Sequence, residues 1–192
     1  MPLTSDQALI QIVDATMAEA VRRSGAWLAC RPGCFECCIG PFPITGGDAA
    51  RLREGLAALA ATAPDRAARV RRRAGQSVER ICREFPEDPL SAVLTVDEAA
   101  EDEPCPALDP DTGTCDLYAS RPVTCRTFGP AVSWGGEALA VCELCYRGAS
   151  DEEIANCRVD LDFGDLEEGE AETIVAFALV ERPEPAPGII GS

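Results

Sequence analysis

Four cysteines stand within nine residues, Cys30-Arg31-Pro32-Gly33-Cys34-Phe35-Glu36-Cys37-Cys38, in a chain without histidine, and this constrains the fold more than any other feature. Thiolates so close together, with no imidazole to share coordination, suit zinc or an iron–sulfur cluster. Pro32, Gly33, Gly40, Pro41 and Pro43 force a tight loop here. A loop can wrap sulfurs around an ion where a regular helix cannot converge them all. A second set, Cys105, Cys115, Cys125, Cys142 and Cys145, supplies partners, so nine thiols fall into three groups. Two mononuclear four-thiolate sites would use eight of them, and a polynuclear centre with bridging sulfurs could use all nine. Cys142-x2-Cys145 is a compact two-sulfur bite that closes a site. Cys157 is a further candidate ligand with no motif around it, and Cys82, beside the inward-facing Ile81, reads as a small apolar residue.

Composition narrows the compartment and the chemistry. An odd cysteine count and the vicinal pair Cys37-Cys38 fit a disulfide framework poorly. The N-terminus enters a polar, periodic segment containing Asp6 and Asp14, with no visible signal peptide. The longest apolar run, residues 173–180, is too short to span a bilayer. The expectation is a cytoplasmic protein with no membrane partner, where cysteine clusters read as metal or redox sites. A net charge of −16 argues against nucleic acid, whose phosphates need a basic face. All seventeen basic residues are arginine, the bias of a high-GC bacterial genome. Lysine Schiff bases, P-loop lysines and histidine general bases are therefore excluded. With aromatics at 5% the core relies on Ala, Leu, Val and Ile. Metal binding, roughly 10–16 kcal/mol in small zinc modules, could then add materially to stability.

Hydrophobic spacing predicts a helix over 5–29, with Leu9, Val13, Met17 and Val21 on one face and Thr4 or Ser5 as cap. Helices are also expected at 48–62 (Leu52, Leu56, Leu59 inward) and 65–85 (Val70, Val78, Ile81, Phe85 inward). On the second of these, Arg71, Arg72 and Arg73 read as a solvated face, a docking surface for an acidic protein partner, or a clamp on the chain's own acidic stretches. Ala92 to Val96 reads as a short strand in an acidic loop. A short helical turn is expected at 117–120, and residues 131–141 as a hairpin over Gly135-Gly136. Ser150 and Glu153 form a capping box for a helix over 151–158. A last helix is expected at about 170–180, and residues 183–192, with three prolines, as a flexible tail. The fold class read from this pattern is mainly α, with irregular cysteine-rich loops and a small β hairpin. It is a single metal-centred α+β domain over 1–182.

Two features of the second cysteine set bear on ligation. Cys105 lies between prolines, whose stiff backbone lowers the cost of positioning its sulfur. Arg121 and Arg126 flank Cys125. Four thiolates on a zinc ion leave about −2 of charge, which guanidinium groups can offset while donating hydrogen bonds to sulfur. Arg121 and Arg126 are accordingly expected behind the ligands, with pairing to surface carboxylates as the alternative.

Cys30, Cys34 and Cys37 imitate the spacing of radical-SAM enzymes, but Glu36 stands where those carry an aromatic residue, and the chain shows no β/α barrel periodicity. A wider pattern is more specific. Cys30-x3-Cys34-x2-Cys37-Cys38-x-Gly40-Pro41-Phe42-Pro43 is followed by Pro104-Cys105-Pro106-x-Leu108, Gly113-x-Cys115-x2-Tyr118 and Arg121-Pro122-x2-Cys125-Arg126-x-Phe128. In this order the elements resemble the YkgJ-like, or CxxCxxCC, cysteine-cluster family over about residues 28–147, with one extra residue between Cys30 and Cys34. The resemblance implies a zinc- or iron-chelating domain with Cys30, Cys34, Cys37, Cys38, Cys105, Cys115, Cys125, Cys142 and Cys145 as ligands, at one metal site or more. Its expected role is structural, metal-handling or accessory to a partner enzyme. A related cysteine region in flagellin lysine N-methylases implies the alternative, an iron–sulfur-dependent methyltransferase or a small redox enzyme, although no glycine-rich nucleotide loop follows a strand.

Overall fold

Several helices begin where the sequence supplies side-chain caps. The computed structural model describes residues 4–95, 99–162 and 171–180. In chain order the elements are α1 (Ser5–Ser24), β1 (Pro43–Thr45), α2 (Gly46–Thr62), α3 (Pro64–Glu84), α4 (Pro89–Thr95), β2 (Leu108–Asp109), β3 (Thr114–Cys115), α5 (Val123–Thr127), β4 (Val132–Trp134), β5 (Glu137–Ala138), α6 (Asp151–Cys157), β6 (Val159–Leu161), β7 (Ala171–Ile174) and α7 (Val175–Leu179). Thr4 with Gln7, Thr45 with Asp48 and Ser150 with Glu153 form reciprocal capping boxes on α1, α2 and α6. Pro64 opens α3 at a position whose N–H has no helical partner anyway. The architecture is mainly α, with small two- and three-stranded sheets between the helices.

α1 ends at Ser24, earlier than its predicted limit, and a single 3₁₀ turn over Gly25–Trp27 follows. Its buried stripe is Leu9, Val13, Met17, Ala20 and Ser24, while Val21 is 49% exposed. Twelve residues at about 3.6 per turn rotate Val21 roughly 120° from Leu9, so the core-facing line shifts to Ala20. This stripe packs on Val123 of α5, Val132 of β4 and Leu161 of β6.

A second core lies between α2, α3 and α7, built from Leu52, Leu56, Ala67, Val70, Ala74, Ala178 and Leu179, with Ala107 and Leu117 reaching in from the cysteine loops. Gly55 of α2 admits the turn at Tyr118–Ser120, because a Cβ there would collide with the Ser120 side chain. Asp48, fully buried, pairs with Arg51 and accepts the Val123 N–H at 3.0 Å, which fastens the start of α5 to the start of α2.

Two predicted elements differ. The strand expected at 92–96 is the body of α4, since Pro89 opens a turn and the Asp88 carboxylate accepts the Ser91 N–H; Val96 lies outside the described residues. Leu90, Val93 and Leu94 all pack with Ile81, Ile174 and Ala176, which a helical arc satisfies and strand alternation would not. The helix expected at about 170–180 is half strand: β7 pairs antiparallel with β1 before the chain turns into the short α7. The hairpin β4–β5 forms over Gly135-Gly136, and β6 adds to β4 in parallel. The tail at 183–192 lies outside the described residues. No helix among the described residues is long and apolar enough to cross a membrane.

Candidate metal centre

The first cysteine loop makes two turns in succession, Cys34 N–H to Arg31 O at 2.9 Å and Cys38 N–H to Phe35 O at 2.7 Å. They aim the sulfurs in different directions. Although Cys30 is exposed as a residue, its sulfur turns inward and lies 3.9 Å from Cys145 Sγ. Gly129, at φ +116°, makes room for it: a Cβ there would stand 3.0 Å from Cys30 Sγ. Burial first, then the nearby sulfurs of Cys145, Cys34 and Cys142, push the Cys30 thiol up to about 12. Cys142 and Cys145 are buried with Ala131, Tyr146 and Cys157 in a separate apolar cluster. Burial chiefly raises the Cys142 thiol, against the nearby Leu144 amide, and the Cys145 N–H closes the turn on the Cys142 carbonyl at 2.9 Å. Cys30, Cys34, Cys142 and Cys145 thus form an outer group.

Cys37 and Cys38 turn the other way. The Cys38 carbonyl accepts the Cys105 N–H at 2.7 Å, and the β2–β3 ladder sets Leu108 opposite Cys115. The hydrogen bond from Cys38 holds the Cys37 thiol down to about 7, with Arg121 adding to the effect. The same hydrogen bond, then burial, then the sulfurs of Cys37, Cys105 and Cys115, pushes Cys38 up. Burial raises Cys105 to about 12, against the nearby Ala107 amide, and the Leu108 N–H closes the turn on the Cys105 carbonyl at 2.9 Å. Burial likewise raises Cys115, whose sulfur accepts the Leu117 N–H. Cys125 is raised by burial and then by Cys105, Cys115 and Cys37. These five make an inner group.

The two arginines behave differently. Arg121 stacks on the Tyr118 ring at 3.9 Å and lies close enough to Cys37 and Cys115 to favour both thiolates. Arg126, expected behind the sulfurs, is instead engaged by Asp14 at 2.7 Å and by the carbonyls of Arg121 and Ala119. It pins α5 to α1. Cys157 shares the apolar cluster of Cys142 and Cys145, and its thiol donates to the Arg23 carbonyl at 3.5 Å. Cys82 is half-buried on α3.

Sequence reasoning missed three positioning residues. Asp116, its side chain wholly buried, accepts from Arg66 and Arg73 of α3. Arg73 also donates to the Pro106 carbonyl, and Arg80 pairs with Glu103. Part of the arginine face offered to a partner is therefore a clamp on the cysteine loop of the same chain. Asp48 carries α5 and its Cys125. Tyr146, at φ +55°, accepts the buried Ala131 N–H on its hydroxyl at 2.8 Å and meets Ser24 Oγ at 2.5 Å, tying the Cys142–Cys145 turn to α1 and β4. Nothing local in the sequence marks Asp116 or Tyr146, whose partners lie far away in the chain; the Thr45–Asp48 capping box marks Asp48 as a helix cap but not its bond to Val123. Tyr146→Phe leaves the Ala131 N–H unpaired and is expected to lower stability by about 1–3 kcal/mol in urea denaturation.

As arranged, no three Cys, Asp or Glu side chains among the described residues converge to metal-ligand distances. The donor set nonetheless fits a thiophilic ion. Sulfurs at about 2.3 Å from a tetrahedral zinc stand roughly 3.8 Å apart, and Cys30 and Cys145 are at 3.9 Å. Amides near sulfur in both groups can supply the hydrogen bonds that metal-bound thiolates take. The raised thiols also set a pH dependence. A protonated thiol favoured by the fold stabilises fully below its ordinary value near 9.0, and that contribution is lost as pH climbs toward about 12. Cys37 has the opposite sign: its contribution is present above 9.0 and lost as pH falls through about 7. The reduced, metal-free chain is expected to lose denaturant stability progressively above pH about 9, checked by urea midpoints across that range.

A family model, CxxCxxCC, described as "Putative zinc- or iron-chelating domain", matches residues 29–146, well over half of the chain. Comparisons with curated proteins and with solved structures returned no match.

Proposed function

The chain belongs to the CxxCxxCC family, whose description is "Putative zinc- or iron-chelating domain", and we propose that it holds zinc through all-cysteine sites, in a structural and metal-handling role. The observation that carries this reading is the approach of thiols from distant stretches of chain on tight turns: Cys30 Sγ lies 3.9 Å from Cys145 Sγ, the Cys105 N–H donates to the Cys38 carbonyl at 2.7 Å, and the amides of Ala107, Leu117 and Leu144 lie near the sulfurs of Cys105, Cys115 and Cys142. Cys-rich turns of this kind hold a thiolate in place and spread its charge. Zinc, when bound, supplies a closed redox-inert tether between loops that have little regular structure of their own. Arg121 and Arg73 stand where they reduce the repulsion among the thiolates.

Spacing supports zinc over a cluster. Two sulfurs 3.9 Å apart suit two donors on one tetrahedral ion, and a closed four-cysteine zinc site needs neither bridging sulfide nor a redox partner. All eleven cysteines are free thiols, in keeping with a reducing compartment. The test is anaerobic purification followed by a visible spectrum, elemental analysis and sulfide assay on one sample. Colourless protein with stoichiometric zinc supports the proposal. Brown protein with acid-labile sulfide replaces zinc by an iron–sulfur cluster, and protein with neither metal nor sulfide defeats the reading altogether.

A further inference from the structure

We propose, resting on the metal-holding reading above, that the nine thiols form two self-contained metal sites of unequal lability. An outer site of Cys30, Cys34, Cys142 and Cys145 exchanges its metal, and an inner site that draws four ligands from Cys37, Cys38, Cys105, Cys115 and Cys125 retains it.

The separation follows the packing. Cys142 and Cys145 belong to the apolar cluster with Ala131 and Tyr146, whereas Cys105 and Cys115 pack against the α2–α3 core. The sulfurs that crowd Cys30 are those of Cys145, Cys34 and Cys142; those that crowd Cys38 are Cys37, Cys105 and Cys115. Phe128 forms a wall between the two. It packs against the outer cluster and, with Phe42, lines a narrow recess beside Cys37 and Cys125. The next residue, Gly129, cradles Cys30 Sγ. The first cysteine loop is shared back to back, with only Phe35 and Glu36 separating Cys34 from Cys37.

The inequality follows from access. A competing thiolate or chelator displaces a metal by approaching a ligand from solvent, and although the Cys30 sulfur turns toward Cys145, Cys30 and Cys142 lie shallower in the protein than Cys105, Cys115 and Cys125. The inner sulfurs are held against the core by the Asp116 clamp, by the turn that Leu108 N–H closes on the Cys105 carbonyl, and by Arg121. A metal passed to another protein would therefore leave from the outer group.

The test is metal release from anaerobically purified full-length protein into a chromogenic zinc chelator, with total metal measured on the same sample. The expected result is two kinetic phases of about one equivalent each. Cys30→Ser with Cys34→Ser should abolish the fast phase and keep the slow one, at unchanged helix content by circular dichroism. Gly129→Ala, which crowds Cys30 Sγ without removing a thiol, should accelerate the fast phase alone. A single phase in the wild type, loss of all metal from the helical double variant, or equal acceleration of both phases by Gly129→Ala would overturn the partition while leaving metal binding intact. Wild-type protein without metal would overturn the metal-holding reading, and the partition with it.

Discussion

Stripping the metal from anaerobically purified protein is expected to lower its thermal midpoint by about 20 °C or more. Structural zinc contributes roughly 10–16 kcal/mol of apparent binding free energy, and a chain of this size shifts by about 2–4 °C per kcal/mol. The effect should be uneven. The α2–α3–α7 core is apolar and continuous without any cysteine among its fully buried members. The segments carrying the thiols contain little beyond two-residue strands and short turns. Their backbone order is expensive to maintain without cross-links. Hydrogen exchange by mass spectrometry should show protection lost over residues 28–42 and 104–118 and around the 142–146 turn, while α2 and α3 stay protected. A metal-free protein with the same melting curve and the same exchange pattern would remove the structural role.

Asp116→Ala is the single substitution expected to cost most, about 3 kcal/mol or more in urea denaturation. The Asp116 carboxylate is wholly buried and accepts from Arg66 at 2.8 and 2.9 Å and from Arg73 at 2.6 Å. Removing one partner of a buried pair typically costs 3–5 kcal/mol because the remaining charge is left without compensation. Here Arg66 is half exposed and can rehydrate, which places the effect toward the lower end. The position also matters for the centre. Asp116 follows Cys115 directly, and its N–H donates to the Ala107 carbonyl at 2.7 Å, so the clamp holds Cys105 and Cys115 in relation to each other. Metal content should therefore fall with stability. Asp116→Ala protein with a wild-type midpoint and undiminished metal would show that the clamp is not needed.

Much of the helical framework was legible because its signals are local. Thr4, Ser150 with Glu153, Pro64 and the leucines of α2 act within a few residues of themselves, and caps and 3.6-residue spacing report just such neighbours. The hairpin over Gly135-Gly136 was legible for the same reason. The misread elements depend on distant partners. Residues 92–95 are a short apolar run that helix and strand could both bury, and Ile81 and Ile174 decide in favour of the helix. β7 exists because β1 lies alongside it, some 130 residues earlier in the chain. Arg126 and Arg121 carry equal chemical credentials beside Cys125. Asp14 on α1 draws one away, and the Tyr118 ring holds the other near Cys37.

The sequence by itself determined the donor chemistry: a chain with nine clustered cysteines and no histidine can hold a metal chiefly through sulfur, and its spacing carries the family. It also determined that the first cluster and Cys105 sit in irregular chain, because proline and glycine punctuate residues 32–43 and 104–113; Cys115 closes β3 and Cys125 rides on α5. Only the tertiary structure decided which sulfurs are neighbours. Cys34 and Cys37 are three positions apart in the chain yet face different groups, while Cys30 and Cys145, more than a hundred residues apart, nearly touch. Spacing limits how far a thiol can reach, but the direction it takes is set by which apolar core its loop packs against. Here the two loops pack against two different cores.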